Sequence, residues 1–270
     1  MRNFIHCSSR SRNIKIKPFN HYDGQILSVA NTKIYYEETG NPDKDVLVLL
    51  HGGFGNIEDF NLLIAKLEKE FRIIGIDSRG QGKSTLGNES LTYELLQNDV
   101  EKIFNHLKID TLNIIGFSDG GIIAYRLATF SDLKIKKLIT IGSRWHRNNV
   151  TETKEILSAV DAKKWREKFP DMVSTYETLN SQPDFDKLLA VVVDMWLNEE
   201  SYPNENVINI KADTLIIRGD KDHLIRRNFV FDIAGLIKDS NLSNIPFAGH
   251  AVHVDQPELL TMTINKFMNK

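Results

Sequence analysis

A serine between two glycines, placed where a strand-like run gives way to a helical one, limits the fold of this chain most. The apolar run at 113–115 enters Gly116-Phe117-Ser118-Asp119-Gly120-Gly121, and residues 122–128 leave it with helical character. So abrupt a turn strains the backbone of its middle residue, and a side chain at either flanking glycine would collide with a neighbouring strand or helix. The pattern predicts that Ser118 stands at the end of a strand, above a helix N-terminus that favours negative charge.

Buried strands and amphipathic helices alternate on both sides of this turn. Strands are predicted at 25–29, 32–38, 45–50, 71–77, 111–117, 135–141, 214–219 and 241–245, and helices at 58–69, 92–107, 119–130, 226–237 and 257–269. Because parallel strands need helical crossovers, the alternation predicts an α/β fold with a mainly parallel central sheet flanked by helices. Thr92 is predicted to cap its helix, and Asp255 with Glu258 has the spacing of a capping box at the last helix.

The alternation stops between Arg144 and Asn206, where amphipathic helical segments follow one another. A stretch of about sixty residues of this kind predicts a helical insertion within one sheet domain. The core would then comprise residues 1–143 and 207–270, with residues 144–206 as a cap. We expect this cap at the carboxyl ends of the strands, because α/β folds bind their ligands there.

Composition narrows the class of protein. Of the 270 residues, 41% are hydrophobic and 26% are charged, as in soluble globular proteins. The net charge of −2 gives no general reason to expect a nucleic-acid partner, and no apolar run approaches the ~18–20 residues of a membrane span. The single cysteine, Cys7, excludes an intrachain disulfide and a cysteine-cluster metal site. We expect a soluble, cytoplasmic protein that binds neither nucleic acid nor membrane, and leave homo-oligomerisation open.

The N-terminal segment qualifies the compartment. Residues 1–22 are basic and contain no acid before Asp23. With their three serines they have the bias of an organelle transit peptide, although they lack the apolar region of a secretory signal. A short basic extension in front of the first strand is the simpler interpretation, so organelle import stays open.

Acid and base candidates follow the last two predicted strands. An activated serine needs a base within hydrogen-bond reach, and that base needs an acid to hold its tautomer. Asp220 and Asp222 follow the strand at 214–219, while His250 and His253 follow the strand at 241–245. Both pairs therefore fall on the edge of the sheet that carries the serine, in the chain order of a hydrolase-type sheet, which is serine, acid and then histidine.

Five segments carry a family resemblance: His51-Gly52-Gly53, Asp77-Ser78-Arg79-Gly80-Gln81-Gly82-Lys83-Ser84, Gly116-Phe117-Ser118-Asp119-Gly120-Gly121, Gly219-Asp220-Lys221-Asp222 and Gly249-His250. With them the chain resembles the α/β-hydrolase-fold serine hydrolases that have a helical cap. The Ser-Asp-Gly-Gly run at 118–121 and Ala162-Lys163-Lys164-Trp165 in the insertion resemble the valacyclovir hydrolase-like (biphenyl hydrolase-like) enzymes in particular.

The resemblance implies a catalytic triad of Ser118, Asp222 and His250. Asp222 rather than Asp220 matches the second aspartate of the family's Gly-Asp-x-Asp, and the family's Gly-His pair selects His250 rather than His253. It also implies that His51 braces the oxyanion loop and does not act as a base. Neither a cofactor nor a metal ion is expected.

The resemblance further implies an oxyanion hole formed by the backbone N–H groups of Asp119 and Gly53, with Phe54 as the alternative to Gly53. The side chain of Asp119 is unexpected, because a carboxylate beside the oxyanion raises the energy of the charged intermediate. A cationic substrate would offset this effect. We therefore predict that Asp119 binds the ammonium group of amino-acid esters, with Phe54 also contacting the substrate; a carboxylate that is hydrogen-bonded and turned away is the alternative.

The expected activity is hydrolysis of small carboxylic esters, with a small-molecule ester as the partner. An aminopeptidase, a C–C hydrolase or a lactonase would use the same triad, since the cap and the pocket select the substrate. A non-catalytic binding module with a hydrolase fold is the alternative of another class.

Overall fold

A computed structural model describes residues 17–270, so most of the basic segment 1–22, and the question of its targeting role, lies outside the described residues. The strands are β1 (Gln25–Val29), β2 (Thr32–Gly40), β3 (Val46–Leu50), β4 (Arg72–Ile76), β5 (Thr111–Phe117), β6 (Lys134–Ile141), β7 (Asp213–Gly219) and β8 (Asn241–Ile245). The helices are α1 (Asn61–Leu67), α2 (Tyr93–Leu107), α3 (Asp119–Phe130), α4 (Arg147–Ser158), α5 (Ala162–Lys168), α6 (Pro170–Leu179), α7 (Phe185–Leu197), α8 (Arg227–Leu236), α9 (Val252–Asp255) and α10 (Pro257–Met268). Within this part of the chain, no helix combines the length and the apolar character needed to cross a membrane.

The eight strands form one sheet in the order β1-β2-β4-β3-β5-β6-β7-β8. The β1–β2 and β2–β4 pairs are antiparallel, and the remaining pairs are parallel. The predicted fold class is therefore confirmed: this is an α/β fold with a mainly parallel sheet flanked by helices.

Both faces of the sheet are covered, which explains the unbroken apolar run of β3. Val48 and Leu50 belong to the core on one face, whereas Leu47 and Leu49 belong to the core on the other. Successive side chains of a strand point to opposite faces, so a strand covered on both sides must be apolar at every position. These two cores hold the carboxyl ends of β3 and β5 side by side. The loop with His51-Gly52-Gly53 and the turn with Ser118 begin there.

Two local predictions at helix ends have different outcomes. The Oγ1 atom of Thr92 accepts a hydrogen bond from the N–H of Leu95 at 3.0 Å, so the predicted cap is confirmed. The capping box predicted for Asp255 and Glu258 is wrong. Helix α10 begins after Gln256 without a side-chain cap, because the Oδ2 atom of Asp255 accepts from the N–H of Gly249 instead, at 2.7 Å.

Helices α4–α7 follow one another between β6 and β7, and we propose that they form the cap predicted for residues 144–206. The ring of Phe54, in the loop after β3, contacts Trp165, Phe185 and Trp196 with centroid distances of 4.9, 5.6 and 5.4 Å. The Nδ2 atom of Asn180 donates to the carbonyls of Gly82 and Ser84 at 3.0 and 2.9 Å. These helices thus pack on the loops that follow β3 and β4.

A buried histidine, His21, links the start of the described chain to the segments that follow β3 and β4. The Nδ1 atom of His21 lies 2.7 Å from Glu58 Oε1, and its Nε2 atom lies 2.9 Å from Asp77 Oδ2. Asp77 also accepts from the N–H groups of Ile57 and Lys83, at 3.0 and 2.8 Å. Burial lowers the pKa of His21, but the hydrogen bonds and charges of Asp77 and Glu58 outweigh burial and raise it overall. The imidazolium form can donate to both carboxylates at once.

We expect the stability of the protein to depend on pH through His21. Because its folded pKa is raised, its contribution is present below about pH 6.5 and is lost as the pH rises through the folded pKa. His21→Asn tolerates the positive φ angle of this position and should lose about 1–3 kcal/mol at low pH, with a smaller loss at high pH. Thermal unfolding between about pH 5.5 and pH 9 measures this, with exposed His223→Asn as the control. A loss for His21→Asn that does not change with pH would contradict the expectation.

Candidate active site

Ser118 occupies a strained turn between β5 and α3. Its φ and ψ angles are 50° and −114°, and its N–H donates to the carbonyl of Ile141 at 2.8 Å. Neither flanking glycine leaves room for a side chain. A Cβ at Gly116 would lie 2.4 Å from the Gly120 carbonyl oxygen, and a Cβ at Gly120 would lie 2.0 Å from the Leu50 carbonyl oxygen. Backbone strain of this kind persists only where the surroundings fix it, and it is concentrated at functional sites.

The structure brings Ser118, His250 and Asp222 together. The Ser118 Oγ atom lies 3.0 Å from His250 Nε2, and His250 Nδ1 lies 2.9 Å from Asp222 Oδ2. The other oxygen of Asp222 accepts from the N–H groups of Leu224 and Ile225 at 2.9 and 3.0 Å. Burial alone would raise the pKa of Asp222, but the hydrogen bond and charge of His250 and these two N–H groups lower it overall. An ionised Asp222 thus holds the proton on Nδ1 and leaves Nε2 free to accept from the serine.

The competing candidates lie elsewhere. Asp220 pairs with Arg227 and accepts from Asn244 at 3.0 Å at the surface. His253 packs edge-on against Phe117 with a centroid distance of 4.6 Å, and burial lowers its pKa. Between residues 17 and 270, no three His, Cys, Asp or Glu side chains are grouped so that they could hold a metal ion.

The loop after β3 is fixed beside the serine. The N–H of Ser78 donates to His51 Nε2 at 2.9 Å, so the proton lies on His51 Nδ1, which donates to the Gly52 carbonyl at 2.7 Å. Phe54 has a φ of 62°, and its N–H donates to Gln81 Oε1. The Phe54 N–H is therefore occupied, whereas the N–H groups of Gly53 and Asp119 donate to no other residue in the described part of the chain.

The carboxylate of Asp119 is held inside the protein. Its Oδ1 atom accepts from the hydroxyl of Tyr93 at 2.8 Å, and both oxygens lie 2.9 Å from the indole nitrogen of Trp196. Burial raises the pKa of Asp119, although these two hydrogen bonds oppose the increase. Gly53 packs against the side chains of Asp119 and Trp196, since a Cβ at Gly53 would be 2.7 Å from Asp119 Oδ2 and 2.8 Å from Trp196 Cζ2. A substrate ammonium would have to share oxygens that already have donors, so its binding to Asp119 stays a prediction.

Sequence reasoning missed the residues that surround Asp119. Tyr93 and Trp196 lie 103 positions apart in the chain and carry no motif. Tyr93 is the first residue of α2, and its apolar character marks it only as core. Gln81 lies within the segment 77–84 that carries the family resemblance, but its bond to Phe54 follows from the meeting of two loops. Only the packed structure brings these side chains together.

Known hydrolases resemble this chain over most of its length. Residues 45–177 match the family model for the alpha/beta hydrolase fold. Serine hydrolase BPHL of Homo sapiens is 26% identical over 239 residues, which cover 84% of this chain and 80% of that protein. Esterase YbfF of Escherichia coli is 24% identical over 83% of this chain and 92% of its own length. This chain is an enzyme with the α/β-hydrolase fold.

A solved structure of another protein has the same fold as this hydrolase. The enol-lactonase from Burkholderia xenovorans superposes with a TM-score of 0.73, covering 91% of this chain and 100% of that one. Its sequence identity is 20%, so the likeness extends to the fold alone. The resemblance to the valacyclovir hydrolase-like enzymes is confirmed by the human serine hydrolase.

Trp196 and Trp145 offer a matched pair for testing the bond to Asp119. Trp196→Phe should destabilise the hydrolase by about 1.5–3 kcal/mol near neutral pH, since a buried carboxylate loses a donor. Trp145 Nε1 donates to the neutral Phe229 carbonyl at 2.8 Å, so Trp145→Phe should lose about 1 kcal/mol.

The pH dependence separates the two variants. Trp196→Phe should raise the pKa of Asp119 further, and the protonated carboxyl is the form that tolerates burial. Its deficit should therefore shrink as the pH falls through the raised pKa, whereas that of Trp145→Phe should not. Urea unfolding at several pH values measures both deficits, and parallel deficits at all pH values would exclude an ionised Asp119 as the acceptor.

Proposed function

We propose that this hydrolase cleaves small carboxylic esters through an acyl-enzyme formed on Ser118. The observation that supports this most is the continuous hydrogen-bond chain from Ser118 through His250 to Asp222, with distances of 3.0 and 2.9 Å. A serine is a weak nucleophile unless a base removes its proton, and a base oriented by a carboxylate meets this need. The side chain of His250 is 19% exposed, so a substrate can approach the pair.

In the proposed reaction, Ser118 Oγ attacks the ester carbonyl while His250 Nε2 takes its proton. His250 then protonates the leaving alkoxide, and Asp222 stabilises the imidazolium without itself accepting a proton. Water attacks the acyl-enzyme by the same route, so that the acid is released and the serine is restored. The bond broken is the ester C–O bond, and no external oxidant or reductant is needed.

The N–H groups of Gly53 and Asp119 are the proposed oxyanion hole. Both are unpaired within residues 17–270, and Asp119 begins helix α3, whose N-terminus favours negative charge. The Phe54 N–H is an unsuitable donor because it already donates to Gln81. One donor of this kind typically contributes about 3–4 kcal/mol to the transition state.

The alternative functions are other reactions that use the same triad and a binding role without catalysis. An aminopeptidase, a C–C hydrolase or a lactonase would use the same groups, and one solved relative is an enol-lactonase. We favour an ester because a relative covering most of this chain is an esterase. A binding module without activity would not need a strained serine joined to an oriented histidine.

Labelling and activity test the triad together. A fluorophosphonate should label the wild type but not Ser118→Ala, and Asp222→Asn should lower kcat about 10⁴-fold because the histidine adopts the wrong tautomer. Asp220→Asn is the matched control and should retain kcat within about threefold, since Asp220 pairs only at the surface. Activity on short-chain esters that survives in Ser118→Ala would disprove the proposal.

Amino-acid esters are the narrower proposal. Asp119 has no ion-pair partner within 4.0 Å in the described residues, which favours a cationic ligand. Its hydrogen bonds to Tyr93 and Trp196 weigh against one. Matched esters with and without a free α-amino group should be compared in the wild type and Asp119→Asn. Recognition through Asp119 requires the ratio of the two kcat/KM values to fall about tenfold in the variant; an unchanged ratio rejects it.

A further inference from the structure

Arg144 is a buried cation with few protein hydrogen-bond partners in the described residues. It follows β6 by three residues, and its exposed fraction is 6%. Within residues 17–270, its one hydrogen bond runs from Nη1 to Thr153 Oγ1, at 3.3 Å. No carboxylate within residues 17–270 forms an ion pair with it. Buried charges are normally paired and hydrogen-bonded, so a guanidinium in this state needs an explanation.

The other buried arginines of this chain are bonded differently. Arg79 donates to both oxygens of Asp99 at 2.7 Å. Arg126 donates to a side-chain oxygen and a carbonyl at 3.0 and 2.9 Å, and Arg218 donates to the Ile225 carbonyl at 2.9 Å and to an asparagine at 2.7 Å. Each of these three joins elements of the fold with at least two good hydrogen bonds. Arg144 is therefore not built as a structural arginine.

The position of Arg144 connects it to the proposed active site. The carbonyl of Ile141 accepts from the N–H of Ser118 at 2.8 Å, and a Cβ at Gly142 would lie 3.3 Å from the His250 ring. Two residues further on, the guanidinium lies 5.9 Å from the ring centroid of Tyr202. That ring contacts Tyr93, whose hydroxyl donates to Asp119. Arg144 is thus connected to the residue after the serine through Tyr202 and Tyr93.

The unused donors of Arg144 are not sealed in the core. Within residues 17–270, Nε and Nη2 donate to no protein group, yet neither is among the fully enclosed side-chain atoms that lack a hydrogen bond. Each of these nitrogens therefore retains some accessible surface, although the residue as a whole is buried. Nε and Nη2 can together donate two parallel hydrogen bonds to one carboxylate.

Charge also favours an anion. Burial lowers the pKa of Arg144, but the nearby Tyr202, Tyr93, Asp119 and Asp222 raise it overall, so the guanidinium stays charged. The contrast with Asp119 is direct. Both are buried charges near Ser118, but the oxygens of Asp119 already accept from Tyr93 and Trp196, whereas within residues 17–270 only Nη1 of Arg144 donates to a protein group.

We propose that Arg144 binds a free carboxylate of the substrate, so that the preferred substrates are esters carrying a second, anionic group. This inference rests on the proposed ester hydrolysis at Ser118. It names a substrate class opposite in charge to the amino-acid esters.

Two matched pairs of esters test the subsite. Monomethyl glutarate against methyl valerate places the carboxylate on the acyl side, and 3-(butanoyloxy)propanoate against propyl butanoate places it on the alcohol side. In the wild type, kcat/KM should favour the anionic member of one pair about tenfold or more, and Arg144→Met should remove this preference. Arg144→Lys should keep part of it, because an ammonium retains charge but lacks the fork geometry. Arg126→Met, a buried arginine bonded away from the serine, should keep the preference.

A binding measurement avoids dependence on turnover. Calorimetry should detect succinate, glutarate or adipate binding to Ser118→Ala, and adding Arg144→Met should weaken the tightest of them about tenfold or more. Equal kcat/KM within both pairs in the wild type, or an unchanged preference in folded Arg144→Met, would overturn the subsite. The proposed function fails separately, if the wild type hydrolyses none of the four esters or if Ser118→Ala still does.

Discussion

The positive φ angle of Ser118 is the constraint on which the rest of the site depends. Strand β5 must end and α3 must begin at one residue, and that residue has a φ of 50°. The turn is held by backbone: Gly120 lies against the Leu50 carbonyl, and Ser118 donates to Ile141. Three adjacent parallel strands therefore meet at the serine. Because rigid strands hold the turn, the loops that bring the histidine and the acid can be irregular and still reach it.

Buried polar groups join the loops that follow β3 and β4. His51 joins the loop after β3 to that after β4, and Asp77 gathers His21 and two backbone N–H groups at the same place. Charged hydrogen bonds of this kind are strong only while every partner is present, since a buried group left unpaired is expensive. The raised pKa of His21 makes this arrangement sensitive to pH.

Two opposite charges accompany the nucleophile. Asp119 is satisfied by neutral donors from α2 and α7, which binds the helical insertion directly to the serine turn. Arg144 follows β6 and, within residues 17–270, donates only to Thr153. The charge of Arg144 offsets that of Asp119 near the serine. They also divide the roles: the anion holds the helices in place, and the cation remains available to a ligand.

The sequence alone determined the sheet, the serine turn and the chain order of the proposed triad, because strand periodicity and the glycine spacing are local patterns. The family resemblance then selected Asp222 and His250 over their neighbours. Tertiary structure decided what those patterns could not contain. Trp196 reaches Asp119 across 77 positions, and Asp255 accepts from Gly249 instead of capping its helix. Such partners depend on how distant loops and helices pack, and no periodicity in the chain records that packing.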